Sequence, residues 1–254
     1  MNRIWGHTLS TAIVALAAGS AIPACAHNNG SLFVHGVLAP PVPAGGVCTY
    51  TASPTSPELS RGSVDGALTS SYSPEFLVGS ALVAQGNPTT PQAETSTINI
   101  QGVDVRVVDP IDNSEWMNAD VLAAGTIEPA SGATPSYVAM AALVIDAKAM
   151  AHFTPPPAPP PGSLVVNLAE VYVKFYGTTL GGDYIESGEY LFPVDVCYGC
   201  KVSFPPGATV KGSKYCAGSV PSTSTEEACV LGQEQAVDCQ KCYGSSPACN
   251  GGSI

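Results

Sequence analysis

The sequence predicts an all-β protein: an antiparallel β-sandwich followed by a small disulfide-rich C-terminal module. Between residues 31 and 196, apolar and polar residues alternate with a period of two, interrupted by Gly, Pro, Ser and Asn, which is the pattern of half-buried strands. No amphipathic helix of the length that connects parallel strands lies between these segments. Seven of the nine cysteines are clustered between residues 197 and 249, so the C-terminal part differs in character from the rest.

The composition indicates an exported protein and gives no sign of a nucleic-acid partner. Charged residues make up 11% of the chain, against roughly 25% in an average soluble domain. Nine basic and 20 acidic residues give a net charge of -11, and the basic residues form no cluster of the kind that nucleic acid requires. An acidic surface is also repelled by anionic lipid headgroups. We therefore expect membrane contact only through an anchor.

Residues 1–24 have the pattern of a signal peptide. Arg3 gives a short positive start, and residues 9–22 form an apolar segment that is too short for a membrane-spanning helix of about 20 residues. No later stretch reaches that length without charge or proline. The first predicted segment of the chain is therefore an export signal.

Two processing sites follow this signal. Residues 22–25, Ile-Pro-Ala-Cys, resemble a bacterial lipobox, in which the cysteine is lipidated and becomes the first residue, although Pro23 departs from that pattern. Cys25 is then the lipid anchor, residues 25–30 are a tether, and Ala26 favours the outer membrane because an inner-membrane retention Asp is missing. Residues 24–26, Ala-Cys-Ala, instead fit cleavage that releases a secreted protein starting at His27.

The predicted sandwich domain spans residues 31–196. Eight segments in it have the strand pattern: 31–38, 47–52, 63–68, 75–83, 96–109, 136–147, 164–177 and 189–197. The clearest is 96–109, in which Ile98, Ile100, Val103, Val105 and Val107 share one face if Gln101 and Gly102 form a β-bulge. The segment 136–147 is rich in Ala and Met, which leaves a helix open. The proline run 154–162 is read as a stiff connection within the sandwich, or as a linker.

In segment 164–177 the alternation separates two faces. Val171, Val173 and Phe175 alternate with Tyr172, Lys174 and Tyr176. We expect the apolar set to face the core and the other set to face solvent.

The cysteine count predicts four disulfides. Removal or lipidation of Cys25 leaves eight cysteines, and these are Cys48, Cys197, Cys200, Cys216, Cys229, Cys239, Cys242 and Cys249. Seven of them lie in the predicted C-terminal module, residues 197–254, so complete pairing requires Cys48 to reach into it. Cys197 or Cys200 is the expected partner, because both directly follow the last strand. Such a bridge closes a loop of at least 150 residues (48 to 197, inclusive) and is worth about 5 kcal/mol in a chain-entropy model.

Zinc is the alternative reading of the two CxxC pairs, 197–200 and 239–242, since tetrahedral zinc accepts four thiolates. Their separation is longer than the usual spacing, and an exported chain favours oxidation. Redox catalysis is a further alternative, but the pair 197–200 follows a strand instead of starting a helix, and the pair 239–242 lacks a βαβ setting. Disulfides are therefore the preferred interpretation.

Two short helical segments are expected in the C-terminal module. Ser224 and Glu227 form a capping-box pattern, and Gly232 provides a stop, which predicts a helix that carries Cys229. Cys239 and Cys242, three residues apart, are expected on one helical turn. Large apolar residues are few in this module, so disulfides must stand in for a core.

A search for catalytic motifs gives none. The chain contains no G-x-S-x-G, H-E-x-x-H, P-loop or G-x-G-x-x-G pattern, so we expect no catalytic residue, no cofactor and no enzyme. The densest acidic stretch supplies Asp109, Asp112, Asn113 and Glu115. Its spacing misses the EF-hand pattern, and Asp-Pro and Asp-Asn are turn residues. We read it as a turn, with a calcium site as the alternative and no other metal expected.

The stretches SLFVHGVLAPP, CTYTASP, LVGSALVAQGN, TLGGDYIESGEYLFPVDVCYGC and DCQKC carry a family resemblance. The combination resembles predicted cell-envelope lipoproteins of myxobacteria and related delta-proteobacteria, over nearly the whole mature chain. This resemblance implies a location in the cell envelope and implies no activity.

Three functions remain open on the sequence. The first is a non-enzymatic cell-envelope lipoprotein that serves as a structural, binding or adhesion module, with an unknown protein or glycan as its ligand. The second is a secreted disulfide-rich inhibitor or effector that starts at His27. The third is an envelope hydrolase whose catalytic residues are scattered along the chain.

Overall fold

The computed structural model describes residues 30–41, 48–86, 92–153, 166–204, 216–217 and 228–249. The strands are β1 (Leu32–Leu38), β2 (Glu58–Leu59), β3 (Gly62–Asp65), β4 (Glu75–Ser80), β5 (Ile98–Val108), β6 (Glu115–Ile127), β7 (Ser136–Ala141), β8 (Val166–Thr179), β9 (Tyr184–Glu186), β10 (Tyr190–Cys197), β11 (Val202–Ser203) and β12 (Val237–Asp238). The helices are α1 (Ala147–Phe153), α2 (Cys239–Cys242) and a 3₁₀ turn, Pro247–Cys249.

The strands form two main sheets, which confirms the predicted all-β fold. The four-stranded sheet has the order β2-β1-β4-β7, and the six-stranded sheet has the order β3-β10-β8-β5-β6, with β9 added to β8. All pairs in these sheets are antiparallel except β3 with β10, which is parallel. A small parallel pair, β11 with β12, lies in the C-terminal segment.

The core lies between the two sheets, and its residues come from the predicted alternation. Phe76 of the four-stranded sheet meets Phe175 of the six-stranded sheet edge to face, with ring centroids 5.5 Å apart. The five β5 residues expected on one face are all buried, and the register shifts between Ile100 and Gly102. The predicted bulge is therefore confirmed, since one extra residue keeps both halves of β5 facing the core.

Two of the strand predictions need correction, and one long strand was not predicted. Residues 48–52 form no strand, and Cys48 is held there by a disulfide. The predicted strand 136–147 ends at Ala141, and α1 follows, with Asp146 accepting a hydrogen bond from the Ala149 amide (2.7 Å). The longest omission is β6: as an edge strand it buries few residues, and Leu122 on it is 91% exposed.

The described part of the C-terminal segment packs on β3. Gln233 forms a β-bridge with Val64, the Glu234 amide donates to the Ser63 carbonyl, and the Asp65 amide donates to the Gly232 carbonyl. The predicted division at residues 196 and 197 falls inside β10 and stays a prediction. The export signal, the tether before Gly30 and the proline run lie outside the described residues.

The two helix predictions in this segment differ in outcome. Cys239 and Cys242 do share a helical turn, α2, which Asp238 caps by accepting from the Gln240 amide (2.9 Å). Cys229 lies in a bend and not in a helix. Ser224 and Glu227 lie outside the described residues.

The Cys48–Cys229 disulfide spans 181 positions of the chain, whereas Cys242–Cys249 spans seven. Chain entropy makes the long loop worth about 5 kcal/mol and the short one about 2.5 kcal/mol. We therefore expect the C48A/C229A protein to lose about twice as much unfolding free energy as the C242A/C249A protein. Equilibrium unfolding in urea measures both values. Equal losses would contradict the role of loop length.

Candidate functional site

All eight cysteines expected to pair are paired in the described residues. The disulfides are Cys48–Cys229, Cys197–Cys200, Cys216–Cys239 and Cys242–Cys249. Cys48 does reach the C-terminal segment, but the expected partner was wrong, because Cys197 and Cys200 bond to each other across a tight turn. The four-thiolate zinc alternative is also wrong, since its four sulfurs belong to three different disulfides. Cys25 lies outside the described residues, so its lipidation stays a prediction.

Residues 109–114 of the acidic stretch form the turn between β5 and β6, and Glu115 is the first residue of β6. Asp109 accepts from the Ile111 amide (2.8 Å), and Asp112 accepts from the Ser114 amide (2.9 Å). Hydrogen bonding from Ser114 holds the pKa of Asp112 below its usual value. Asn113 has a φ of 58°, in the left-handed region that Asn tolerates. These are the contacts of a hairpin turn.

The calcium alternative for this stretch is not supported by the geometry. Among the described residues, the one group of three metal-ligating side chains that converges within 4.8 Å is Asp65, Cys197 and Cys200. The carboxylates of the turn are thus not gathered as a calcium ion requires. Glu115 instead accepts from the Asn118 amide group (3.1 Å).

The outer face of the six-stranded sheet carries an aromatic surface, which we call the tyrosine platform (Tyr176 and Tyr184). The two rings are nearly parallel, 29° apart, with centroids separated by 6.3 Å. Tyr176 lies across Gly102 of the neighbouring strand, where a Cβ would clash with the ring. Glycine at position 102 therefore lets the ring rest on the sheet. Tyr184 is 55% exposed, so aromatic surface faces solvent.

Polar groups fix this platform and surround it. The Tyr176 hydroxyl donates to Asp120 (2.5 Å), and this hydrogen bond raises the pKa of Tyr176 to about 12. Lys174 pairs with Glu186 at 3.0 Å. Asp104 lies directly opposite both Asp120 and Lys174 in the strand register. Of the charged residues named here, three are carboxylates and one is a lysine, so carboxylates predominate around the platform.

The same face continues beyond the platform with a second tyrosine. The Arg106 guanidinium lies 4.0 Å above the centroid of the Tyr172 ring and pairs with Glu189 at 3.3 Å. The Tyr172 hydroxyl donates to Glu170 (2.8 Å), and this hydrogen bond raises the pKa of Tyr172. Because arginine covers this ring, Tyr172 offers less free aromatic surface than the platform.

A small pocket lies where the C-terminal segment meets the sandwich, lined in part by Tyr50, Glu75, Val230 and Glu234. Burial raises the pKa of both carboxyl groups. The pKa of Tyr50 is raised by burial and by the two neighbouring glutamates. The pocket therefore disfavours negative charge and would repel an anionic ligand.

Glu234 joins this pocket to the fold. It has a φ of 54°, a conformation that a non-glycine residue adopts at a cost. Its carboxyl group accepts from the Tyr72 hydroxyl and, at 3.3 Å, from the Ser63 amide and hydroxyl. Its backbone carbonyl accepts from Lys201 Nζ (2.9 Å). These contacts anchor the C-terminal segment, and we assign Glu234 a structural role.

Sequence reasoning found only part of these sites. The alternation in β8 placed Tyr172, Lys174 and Tyr176 on the outer face, as observed. Asp120 and Tyr184 were missed, because apolar residues such as Leu122 also stand on the outer face of β6, and β9 has only three residues. The contact between Tyr72 and Glu234 joins positions 162 residues apart and has no local signal in the sequence.

No protein-family model matches the chain, and a search of the curated proteins finds no match. Among the described residues, no helix is both long and apolar enough to cross a membrane.

The raised pKa of Glu234 predicts a pH-dependent stability. The folded protein holds this proton more tightly than the unfolded chain, whose carboxyl has the ordinary pKa of 4.5. The free energy of unfolding contributed by this group therefore falls as the pH rises above about 4.5. We expect wild type to lose stability relative to E234Q over that range, as measured by urea unfolding at several pH values.

Glu94 provides a control of opposite sign. Amide hydrogen bonds from Gly86 (2.8 Å) and Ser96 (2.6 Å) lower its pKa. Wild type is therefore expected to lose stability relative to E94Q as the pH falls below about 4.5. A stability difference between wild type and E234Q that does not change with pH would contradict the role of Glu234.

Proposed function

We propose that this protein is an exported, non-enzymatic binding module of the cell envelope that binds a polysaccharide through the tyrosine platform. The observation that carries the proposal is the Tyr176 ring resting on Gly102, beside the exposed ring of Tyr184. Flat aromatic rings held in this way offer apolar faces to the C–H surfaces of sugar rings.

The groups around the platform suit sugar hydroxyls. Carboxylates accept hydrogen bonds, and Asp104 and Asp120 border the rings. Gln101 and Thr178, which hydrogen-bond to each other at 3.2 Å, add donors and acceptors on an exposed part of the same pair of strands. Hydroxyl-rich ligands therefore find hydrogen-bond donors and acceptors on this surface.

Charge narrows the ligand class. The chain has a net charge of -11, and carboxylates border the platform, so a polyanion is repelled. We therefore propose a neutral or amine-bearing polysaccharide as the ligand, and a protein ligand is the alternative that the experiment below separates.

The location in the envelope is part of the same proposal. Four disulfides in the described residues favour an oxidising compartment. The lipobox-like residues and the resemblance to predicted envelope lipoproteins support an anchor at Cys25, with the outer membrane as the expected location.

The platform is tested by truncation of its rings. We expect Y176A and Y184A each to weaken binding of a soluble neutral hexasaccharide, such as an N-acetylglucosamine oligomer, about tenfold, which equals about 1.4 kcal/mol. Y184F keeps the ring and should bind as wild type does, and Y243A serves as a control at an exposed tyrosine outside the sandwich. Isothermal titration calorimetry measures the affinities.

Three outcomes would contradict this proposal. They are undiminished binding in both alanine variants, equal binding of an alginate oligomer, or no binding of any neutral or amine-bearing oligomer. Recovery of a specific protein ligand whose binding depends on the same two rings would replace the polysaccharide with the alternative.

The anchor is tested by the intact mass of the mature protein from its native host, before and after reduction and alkylation. We expect an acylated chain that begins at Cys25, with eight cysteines alkylated only after reduction. A chain that starts at His27 without lipid would rule out the anchor and favour a secreted inhibitor or effector.

A further inference from the structure

The Cys197–Cys200 disulfide differs from the other three in how little it constrains the chain. It joins residues three positions apart, against 181, 23 and seven for the others. In the chain-entropy model the shortest loop removes the least entropy from the unfolded state. Retention of the overall fold therefore depends least on this bond.

A buried carboxylate lies beside this disulfide. The ligand atoms of Asp65, Cys197 and Cys200 all lie within 4.8 Å of one another, and Asp65 is fully buried. Its carboxylate is held by the amides of Ala67 (2.9 Å), Gly199 (2.7 Å) and Lys201 (2.8 Å). The turn that carries the two cysteines is thus fixed to β3 by groups other than the disulfide.

The surroundings of Cys197 can accommodate a thiol. Its Sγ atom lies 3.4 Å from the Val64 carbonyl oxygen, a distance at which a reduced thiol can donate a hydrogen bond. A reduced Cys197 therefore finds an acceptor without a change in the neighbouring strand.

The two cysteines also differ in how exposed they are to solvent. Cys197 is 2% exposed, whereas Cys200 is only half-buried. An incoming thiolate is therefore expected to attack Cys200, with Cys197 as the sulfur that leaves. Cys48 and Cys229 are half-buried as well. Their bond differs because it closes the longest loop and because, among the described residues, neither cysteine belongs to a cluster like that of Asp65, Cys197 and Cys200.

We propose that Cys197–Cys200 is an exchangeable disulfide that a dithiol reduces while the other three disulfides stay closed. One thiolate of the dithiol attacks Cys200 Sγ, the bond between the two protein sulfurs breaks, and Cys197 leaves with the electron pair and takes a proton from water. The second thiol of the reagent then displaces Cys200, loses its proton and closes the reagent's own disulfide. The protein gains two electrons and the dithiol is oxidised.

The order of reduction tests this proposal in the folded wild-type protein. The protein is incubated with increasing dithiothreitol, alkylated and mapped by mass spectrometry, with far-UV circular dichroism recorded in parallel. We expect Cys197 and Cys200 to be alkylated at about tenfold less reductant than any other pair, with an unchanged spectrum. Earlier alkylation of Cys48 and Cys229, or simultaneous opening of all four bonds, would overturn it.

A variant of Asp65 tests whether the groups around the disulfide, and not its accessibility alone, control its chemistry. D65N keeps an oxygen that accepts from the amides of Ala67 and Gly199, but it removes the negative charge. We expect the pH profile for alkylation of reduced Cys197 to shift to lower pH, and D238N, at the cap of α2, to leave that profile unchanged. An unshifted profile in folded D65N would show that Asp65 does not influence Cys197. If D65N does not fold, the order of reduction in the wild-type protein still tests the exchange.

Discussion

The buried carboxylate of Asp65 is the interaction on which the junction of the molecule depends. Asp65 is the last residue of β3, a four-residue strand that pairs in parallel with β10, and so short a pairing is weak by itself. The carboxylate accepts amide hydrogen bonds from Gly199 and Lys201, 134 and 136 positions along the chain. A buried charge is tolerated only with such partners, so the chain after β10 is fixed at the edge of the sandwich.

Beyond this anchor, disulfide bonds hold the C-terminal segment together. Its buried clusters are small, and cysteines are prominent in them: Cys216 with Cys239 in one, and Cys242 with Cys249 and Val237 in the other. Leu68 of the sandwich packs on the second cluster. Short segments bury too little apolar surface to fold alone. The segment therefore depends on disulfides within it and on β3, Glu234 and the Cys48–Cys229 bond beside it.

Local pattern predicted the centre of the sandwich and failed at its edges. In β5 and β8 both neighbours are strands, so every second residue meets the core, and the alternation and the bulge were readable. In β6 the burial also alternates, but the outward-facing positions include Leu122 and Ala124, so apolar residues stand on both faces and blur the period in the sequence. Pairings such as Cys48–Cys229 and Tyr72–Glu234 depend on the path of the whole chain. The residues around each of the eight cysteines do not show which other cysteine it bonds to.

The tyrosine platform lies on β8 and β9, and the way its Tyr176 ring is held bears on binding. The Tyr176 ring is fixed below by Gly102 and at its hydroxyl by Asp120, so little side-chain freedom is left to lose when a ligand stacks on it. Asp104 and Asp120 lie opposite each other, a like-charge pair that destabilises a sheet. Lys174, which is also opposite Asp104, offsets that repulsion only in part. The repulsion between Asp104 and Asp120 beside the fixed ring of Tyr176 lowers the stability of this exposed face. Such a loss of stability is common at binding surfaces.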